Sequence, residues 1–242
     1  MERRDLLFKG GFTLIYDDAL TKPGTDSFLL SAFPKLRRGL RCADLGAGGG
    51  LLGLLLLSRE SEMCVDGIEI CVGAQALAEK NAEENGIADR LKTYIADLRA
   101  LGGVLDAGKY DLVVSNPPYF RAGSGESAAD GNRRAAREES LCEIGDVLAA
   151  ASRLLKWGGK FCLVYRPERL ADVVCAARDN ALEPKRLRFV CLRPEKAPSL
   201  LLLECAKGGG AGLKVEPPLI LRDENGKDTP EVEKIYFRRA DA

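Results

Sequence analysis

Short apolar runs alternate with helical patterns along most of the chain from residue 40 onward. The run at residues 42–45 predicts a buried strand, and the leucine-rich stretch at residues 51–58 predicts a helix. The same alternation continues to about residue 205, with seven predicted strands at residues 42–45, 63–70, 91–95, 110–115, 161–165, 186–190 and 200–205. Strands that alternate with helices typically form a mostly parallel sheet with helices on both faces, so we expect an α/β fold.

The two ends of the chain have different patterns. Residues 5–21 alternate in part and are interrupted by Gly10 and Gly11, which predicts a small β-hairpin or two short strands. A short helix is predicted after Thr25 and Asp26, either of which is a natural N-cap. Asp26 could instead lie near a bound ligand.

The last two predicted strands are joined by a short connection, so we expect them to pair antiparallel at one edge of the sheet. A glycine-rich connection at residues 207–212 follows. We therefore expect an N-terminal β extension with a short helix at residues 1–39, a central domain at 40–206, and a C-terminal extension at 207–242 packed on the same domain.

Composition narrows the classes of function. The chain has 242 residues, of which 36 are basic and 36 acidic, and this neutrality counts modestly against a polyanion-binding protein. It has no histidine, which excludes Ser-His-Asp and Cys-His catalysis and disfavours a zinc site, so we expect no metal. Eight cysteines without a C-x-x-C pair indicate a reducing compartment. No apolar run approaches a membrane span, and we expect a cytoplasmic protein that binds no membrane.

A glycine-rich segment follows the first predicted strand and reads DLGAGGG from Asp44 to Gly50. Glycines there let the backbone approach a ligand without Cβ collisions. Gly48, Gly50 and Gly53 also match the dinucleotide fingerprint G-x-G-x-x-G. The register argues against that fingerprint, because Gly46 is the glycine that follows the strand and Gly53 would already lie in the helix.

Acidic residues lie at or just after the ends of the first three predicted strands. Glu69 ends the second of them, and its interval from Gly48 suits a carboxylate that accepts hydrogen bonds from both hydroxyls of a ribose. This interval fits NAD and an adenosyl cofactor equally well. Asp97 has the placement of a group that meets an adenine edge, and Asp44 could orient the glycine segment or meet the amino-acid end of a cofactor. Glu69 and Asp97 could also be solvated acids at strand ends.

The stretch from Tyr110 to Tyr119 reads YDLVVSNPPY. Pro117 and Pro118 stop the strand because neither can donate a ladder hydrogen bond, and Asn116 is pushed toward extended geometry. The Asn116 amide oxygen and a nearby carbonyl can then accept both hydrogens of an amino group, with the Tyr119 ring stacked on a flat substrate. The alternative is a plain Pro-Pro turn after a core strand.

Taken in order, these elements resemble class I S-adenosylmethionine-dependent methyltransferases that act on a planar amino nitrogen. The residues that carry the resemblance are Asp44, Gly46, Gly48, Gly50, Glu69, Asp97 and the segment from Asn116 to Tyr119. The resemblance implies a Rossmann-like, seven-stranded sheet with S-adenosyl-L-methionine bound in residues 40–206. Cofactor contacts would come from Asp26, Asp44, Gly46, Gly48, Gly50, Glu69, Asp97 and Asn116, and catalysis from Asn116, Pro117 and Tyr119.

More narrowly, the chain is similar to the tRNA(Val) adenine-N(6) methyltransferase family. The similarity lies in GTDSFLL from Gly24, AREE from Ala136, RPERL from Arg166 and EPKRLRFV from Glu183. Gly49 departs from the pattern, because relatives more often carry a small hydroxyl residue there. The resemblance implies methyl transfer to the amino nitrogen of an adenine in a tRNA anticodon loop.

If the substrate is tRNA, basic residues would contact its phosphates. The candidates are Arg121, Arg133, Arg134, Arg137, Lys185, Arg186 and Arg188, which could equally form a solvated charged face. Residues 121–139 would form a substrate loop or a flexible linker.

Several alternatives remain open from the residues alone. A glutamine carboxamide or a guanine amino group presents the same two hydrogens as adenine, so a protein glutamine or ribosomal RNA methyltransferase would use the same turn. The glutamine enzymes usually carry a helical domain ahead of the glycine segment, whereas the short stretch that precedes it here is predicted partly as strand. From other classes, an NAD-dependent oxidoreductase or a non-catalytic nucleotide-binding module also fits the glycine segment.

Overall fold

The structure is a computed structural model that describes residues 1–21, 23–118 and 144–238. Its strands are β1 Arg3–Leu6, β2 Thr13–Tyr16, β3 Arg41–Leu45, β4 Cys64–Glu69, β5 Leu91–Ile95, β6 Tyr110–Ser115, β7 Leu155–Tyr165, β8 Leu182–Cys191, β9 Pro198–Lys207, β10 Lys214–Val215 and β11 Leu219–Ile220. Its α-helices are α1 Thr25–Ser31, α2 Leu51–Arg59, α3 Val72–Glu84, α4 Ile144–Leu154, α5 Leu170–Asp179 and α6 Pro230–Ile235. The seven predicted strands correspond to β3–β9, which confirms the α/β alternation.

The central sheet has the order β10-β8-β9-β7-β6-β3-β4-β5, with β11 also paired to β8. From β3 the chain moves outward through β4 and β5, and it then returns to the other side of β3 with β6. The strand order therefore reverses between β3 and β6. In open α/β sheets, ligands bind at such a point, beyond the carboxyl ends of the strands.

The sheet differs from the prediction in two respects. The described residues add β10 and β11, two strands of two residues each, so the sheet has nine strands and not seven. The antiparallel strand was expected at the edge, but β9 lies between β7 and β8 and is antiparallel to both. The short β8–β9 connection does make these strands antiparallel neighbours, and β8 occupies the outer position.

Apolar side chains cover both faces of the sheet. In β6, Leu112 and Val114 contribute to one buried cluster and Val113 to the other, as expected for a strand whose alternate residues face opposite sides. Helices α1 and α2 pack on the first face, and α4 and α5 pack on the second. Gly53 lies inside α2, as its register predicts, and a Cβ there would stand 2.7 Å from Leu91 Cδ1.

The N-terminal segment is a hairpin in which β1 and β2 pair antiparallel. It is followed by α1, whose N-cap is Gly24. The prediction of Thr25 or Asp26 as the N-cap is therefore wrong, since both lie in the first turn of the helix. Gly24 has extended backbone geometry and provides no side-chain hydrogen bond, so the N-cap preference for Asp or Thr did not decide where α1 begins.

The C-terminal segment covers the outer edge of the sheet and then crosses to the N-terminal hairpin. Strands β10 and β11 both pair with β8. Beyond them, Tyr236 stacks on Phe28 of α1 with ring centroids 4.9 Å apart, and Phe237 stacks on Phe8 at 4.1 Å. The segment thereby supports α1 from outside. The division at residues 39 and 206 stays a prediction. No helix in the described ranges is long and apolar enough to cross a membrane.

The buried side chain of Ile235 attaches this C-terminal segment to the core. Replacing Ile235 with alanine should lower the free energy of unfolding by about 2–4 kcal/mol, because the substitution removes buried methyl groups and leaves a cavity. Glu224→Ala, at an exposed position of the same segment, should change it by less than about 0.5 kcal/mol. Urea unfolding of both variants measures this difference, and equal effects would show that the segment is not anchored by its apolar face.

Candidate functional site

The candidate site lies at the carboxyl ends of β3 and β6. Asp44 of β3 is opposite Val114 of β6, so Gly46 and Asn116, each two residues further along, emerge side by side. Neighbouring strands are separated by about 4.8 Å, which brings the glycine segment and the Asn-Pro-Pro turn together. A buried hydrogen bond of 2.8 Å from Ser115 Oγ to the Leu45 carbonyl joins the two strands immediately below the site.

The glycine segment forms a tight loop between β3 and α2. Gly46, Gly48 and Gly50 have φ values of 76°, 53° and 83°, in the left-handed region that residues with a Cβ rarely adopt. Gly50 is the N-cap of α2, and a Cβ there would stand 3.1 Å from Ala78 Cβ. The small size of Gly50 therefore lets α2 and α3 approach each other, whereas Gly46 and Gly48 line the cavity described below.

Glu69 holds this loop from the end of β4. Its Oε2 accepts a hydrogen bond from the Gly48 N–H at 2.8 Å, and its Oε1 accepts one from the Cys71 N–H at 2.8 Å. A carboxylate has about four lone-pair sites, so two acceptor sites remain for other donors. The spacing of Gly48 and Glu69 in the sequence thus reflects a direct contact between them, and the predicted contact with ribose stays a prediction.

Asp44 is buried at the base of the site, with an exposed fraction of 2%. Its Oδ2 has no hydrogen-bond partner in the part of the chain that the structure describes. Burial, together with the nearby Glu69 charge, raises the pKa of the Asp44 carboxyl to about 7. An unsatisfied buried carboxylate lowers stability, and such groups often lie where a ligand is bound.

Asn116 is held by α1. Its Nδ2 donates a hydrogen bond of 3.1 Å to the hydroxyl of Ser27, which is itself buried. Because the amide nitrogen points to Ser27, the amide oxygen is the end of the group left for a ligand, and it accepts no hydrogen bond within residues 1–21, 23–118 and 144–238. Pro117 and Pro118 line the same cavity. Tyr119 lies outside the described residues, as does the whole predicted substrate loop at residues 121–139.

One cavity of about 330 Å³ is lined by Asp44, by the glycine loop from Gly46 to Gly49, by the Asn-Pro-Pro turn and by the N-terminal segment. Gly50 and Glu69 are not among its lining residues. The N-terminal residues in the wall are Leu14, Tyr16, Thr21, Pro23, Gly24, Asp26 and Ser27. Asp26 was predicted here, whereas Ser27 and Thr21 were not singled out.

Thr21 lies next to Gly49, the position at which this sequence has a glycine where relatives more often have a small hydroxyl residue. A Cβ at Gly49 would stand 2.9 Å from Thr21 Oγ1, so the threonine hydroxyl lies where a side chain at position 49 would begin. A hydroxyl therefore remains beside the loop although Gly49 has no side chain.

Other predicted residues are not part of this cavity. Asp97 caps the short 3₁₀ turn Leu98–Ala100, and hydrogen bonds from Arg99 lower its pKa. Arg186 is bound to Glu204 at 2.8 Å and stacks over the Phe33 ring, and Arg188 forms a bidentate pair with Glu231. These two arginines are thus used within the protein. The other arginine candidates, Arg121, Arg133, Arg134 and Arg137, lie outside the described residues.

Comparison with known proteins agrees with this geometry. The model of the methyltransferase small domain family matches residues 21–174. A tRNA1(Val) (adenine(37)-N6)-methyltransferase of Dickeya chrysanthemi is 32% identical over 226 residues, which cover 89% of this chain and 88% of that one. A protein of the same name from Parabacteroides distasonis is 34% identical over 194 residues, or 80% of each chain.

Solved structures give the same result for the fold. A crystal structure described as a predicted O-methyltransferase from Agrobacterium tumefaciens has a TM-score of 0.72 and 25% identity, and it covers 90% of this chain and 98% of its own. A geranyl diphosphate methyltransferase in complex with S-adenosylmethionine has a TM-score of 0.56 at 17% identity, over 76% of this chain and 84% of its own. The similarity to the geranyl diphosphate methyltransferase concerns the fold alone.

The fold, the glycine loop and the family match together define an S-adenosylmethionine-dependent methyltransferase of class I. The chain belongs to the methyltransferase small domain family and, more narrowly, to the tRNA1(Val) (adenine(37)-N6)-methyltransferases. The resemblance found in the sequence is confirmed, and the NAD-dependent and non-catalytic alternatives are not supported.

The raised pKa of Asp44 predicts an unusual dependence of stability on pH. The pKa rises from 3.8 to about 7 on folding, so the folded protein binds more protons between about pH 4 and pH 7 and loses stability as pH increases through that range. Asp44→Asn removes this titration. From pH 5 to pH 8 the unfolding free energy of wild type should therefore fall, relative to that of the variant, by on the order of 1–3 kcal/mol. Urea unfolding of both proteins at each pH measures this change.

Asp111 provides the control for this experiment. Burial opposes ionisation of Asp111, but hydrogen bonds from the Arg41 N–H and from Lys156 outweigh burial and lower its pKa. Asp111→Asn should therefore show a constant difference from wild type between pH 5 and pH 8. A constant difference for Asp44→Asn as well would contradict the account of Asp44.

Proposed function

We propose that this protein transfers a methyl group from S-adenosylmethionine to the exocyclic amino nitrogen of an adenine in the anticodon loop of tRNA, in the cytoplasm. The substrate suggested by the names of its relatives is adenine 37 of tRNA1(Val). The observation that carries the proposal is the position of Asn116, whose amide lies at the same cavity as the glycine loop.

The residues around the cavity fit the proposed cofactor. S-adenosylmethionine carries a sulfonium and an ammonium group, and Asp44 supplies a buried carboxylate oxygen without a partner among the described residues. Gly46 and Gly48 expose backbone rather than side chains to the cavity. Asp26 would supply a further acceptor, and bound S-adenosylmethionine would supply an electrophilic methyl group. Glu69, Gly50 and Asp97 belong to the predicted set but do not line this cavity, so their contacts with the cofactor stay predictions.

Asn116 would position the amino group that accepts the methyl. Its amide oxygen and the Pro117 carbonyl would accept the two amine hydrogens, which turns the nitrogen lone pair toward the methyl group. With the methyl group supplied by S-adenosylmethionine, whose sulfur would keep the electron pair of the broken sulfur–carbon bond, the two oxygens would stabilise the positive charge on the methylated nitrogen. One proton of the amine would then leave to water. No histidine is needed for these steps.

The rigidity of the Asn-Pro-Pro turn would account for much of the rate enhancement. Holding two reacting groups in line can contribute roughly 7–11 kcal/mol to the reduction of a barrier. Pro117 and Pro118 restrict the backbone, and Ser27 fixes the amide of Asn116 through a hydrogen bond of 3.1 Å. The contact from α1 thus decides which end of the amide faces the substrate.

The relatives favour RNA over a protein glutamine as the substrate, because both are named as tRNA adenine methyltransferases. An adenine must leave its stack to reach such a cavity, and unstacking costs a few kcal/mol, least in a single-stranded loop. Tyr119 would stack on the flipped base.

Exposed basic residues also occur at this edge of the sheet. Strand β8 has the same direction as β7, because both are antiparallel to β9, so its carboxyl end lies at the edge from which Asn116 emerges. The connection that follows β8 holds Arg193 and Lys196, both exposed. They would contribute phosphate contacts in place of Arg186 and Arg188, which are paired with Glu204 and Glu231.

Replacing Asn116 with alanine should lower the turnover number by roughly 10²–10³-fold, because one of two acceptors for the amino group is lost. The dissociation constant for S-adenosylhomocysteine should stay near the wild-type value. Ser27→Ala should cause a smaller loss of turnover of about tenfold, since Asn116 would remain but lose its fixed orientation. Single-turnover methylation and titration calorimetry measure the two quantities.

A matched control is Asn180→Ala, because Asn180 lies at the end of α5 and its amide donates, among the described residues, to the Ala176 carbonyl alone. Its turnover should equal that of wild type. Unchanged turnover in Asn116→Ala would remove Asn116 from the mechanism.

The identity of the acceptor is tested by incubating the protein and labelled S-adenosylmethionine with bulk tRNA from cells that lack the protein. Digestion to nucleosides should give N(6)-methyladenosine as the labelled product. Labelled N(2)-methylguanosine, or label transferred to glutamine in a protein fraction and not to tRNA, would contradict the proposed substrate while leaving the methyltransferase class intact.

A further inference from the structure

Asn81 is a fully buried polar residue in α3 that touches both the hairpin and the glycine loop. Its Oδ1 accepts the Ile15 N–H at 2.6 Å, and its Nδ2 donates to the Ile15 carbonyl at 2.8 Å. The same Nδ2 donates to the Gly49 carbonyl at 2.8 Å. Buried amides of this kind are costly unless their hydrogen bonds are satisfied, and Asn81 satisfies them by joining two segments that lie far apart in the sequence.

Asn85, one helical turn further along, makes a similar pair of contacts with the hairpin. Its Oδ1 accepts the Thr13 N–H at 2.8 Å, and its Nδ2 donates to the Thr13 carbonyl at 2.8 Å. Residues four apart in a helix are separated by about 6 Å along its axis, and residues two apart in a strand by about 6.7 Å. The two carboxamides therefore pair with alternate residues of β2, as a neighbouring strand would, on the edge that β1 leaves open.

The two asparagines differ in their third contact. Asn85 Nδ2 donates to the Asn81 carbonyl within α3, at 2.7 Å, whereas Asn81 Nδ2 donates to Gly49 in the glycine loop. Within the hydrogen bonds of the described residues, Asn81 therefore links β2 to the loop directly, and Asn85 links β2 to α3 alone.

This difference matters because β2 and the glycine loop both line the cavity. Leu14 and Tyr16 of β2 line the cavity, on either side of the residue that Asn81 holds. Gly48 and Gly49 line it from the loop. One carboxamide thus forms hydrogen bonds to both β2 and the glycine loop.

We propose that Asn81 is a positioning residue for the cofactor, which holds the glycine loop at a fixed distance from the N-terminal hairpin, and that Asn85 serves the hairpin alone. The inference rests on the cofactor site proposed above. Loss of the Asn81 side chain frees the Gly49 carbonyl and lets the loop and hairpin separate, so binding must then restore the geometry at the expense of affinity.

The test compares Asn81→Ala with Asn85→Ala in the full-length protein. Both variants leave one N–H and one carbonyl of β2 unpaired, and Asn81→Ala should lower the melting temperature further because Asn81 is fully buried and its loss also frees the Gly49 carbonyl. The dissociation constant for S-adenosylhomocysteine, measured by titration calorimetry without RNA, should rise about tenfold for Asn81→Ala and less than about threefold for Asn85→Ala, a tenfold change being about 1.4 kcal/mol. At saturating cofactor, Asn81→Ala should regain nearly the wild-type turnover, so the defect appears in KM and not in kcat.

A second pair keeps the comparison decisive if the alanine variants do not fold. Asn81→Asp and Asn85→Asp both retain the oxygen that accepts a β2 N–H and both lose the donating nitrogen. Cofactor affinity should again fall only for the variant at position 81. The inference would be overturned if the variants at positions 81 and 85 bound S-adenosylhomocysteine equally well while the wild type also binds it. Failure of the wild type to bind would reject the cofactor site itself.

Discussion

A tight bend in the backbone from Gly46 to Gly50, fixed by polar side chains from other elements, is the constraint on which this site depends. Three of its glycines have left-handed geometry, which side chains with a Cβ adopt only with strain. Glu69 holds the Gly48 N–H from β4, and Asn81 holds the Gly49 carbonyl from α3. A loop that is already ordered loses little conformational entropy when a ligand binds, so these contacts act on affinity without touching the ligand.

The Asn-Pro-Pro turn, which is the second part of the site, is also held by side chains from other elements. Asn116 follows β6 at a Pro-Pro turn, and its amide is oriented by Ser27 from α1. Helix α1 is itself supported by the C-terminal segment through the stacking of Tyr236 on Phe28. Asp44 contributes a buried oxygen that receives no hydrogen bond from any described residue. Such an oxygen lowers the stability of the fold, and costs of this kind are typical of sites that bind a ligand.

Much of this architecture is predictable from the sequence because it depends on local order. Apolar runs define β3–β9, and Gly46 and Asn116 come together because each directly follows a parallel strand. The position of β9 between β7 and β8 was not predicted, since pairing between neighbours in sequence does not reveal which strand lies outside. Contacts over long sequence distances were also missed. Ser27 falls in a segment that the family resemblance marks, but nothing near it indicates that it binds an amide 89 residues away.

The central claim is that the Asn116 amide oxygen faces a methyl group presented beside the glycine loop. A crystal structure with S-adenosylhomocysteine and adenosine tests this most directly. We expect the amino-acid end of the cofactor product beside Asp44, and its sulfur on the side of the cavity that the Asn116 oxygen faces, with room for a methyl group and a reacting distance of roughly 3–3.5 Å to the adenine nitrogen. A sulfur bound on the far side of the loop, or an Asn116 amide with its nitrogen toward the adenine, would contradict the account.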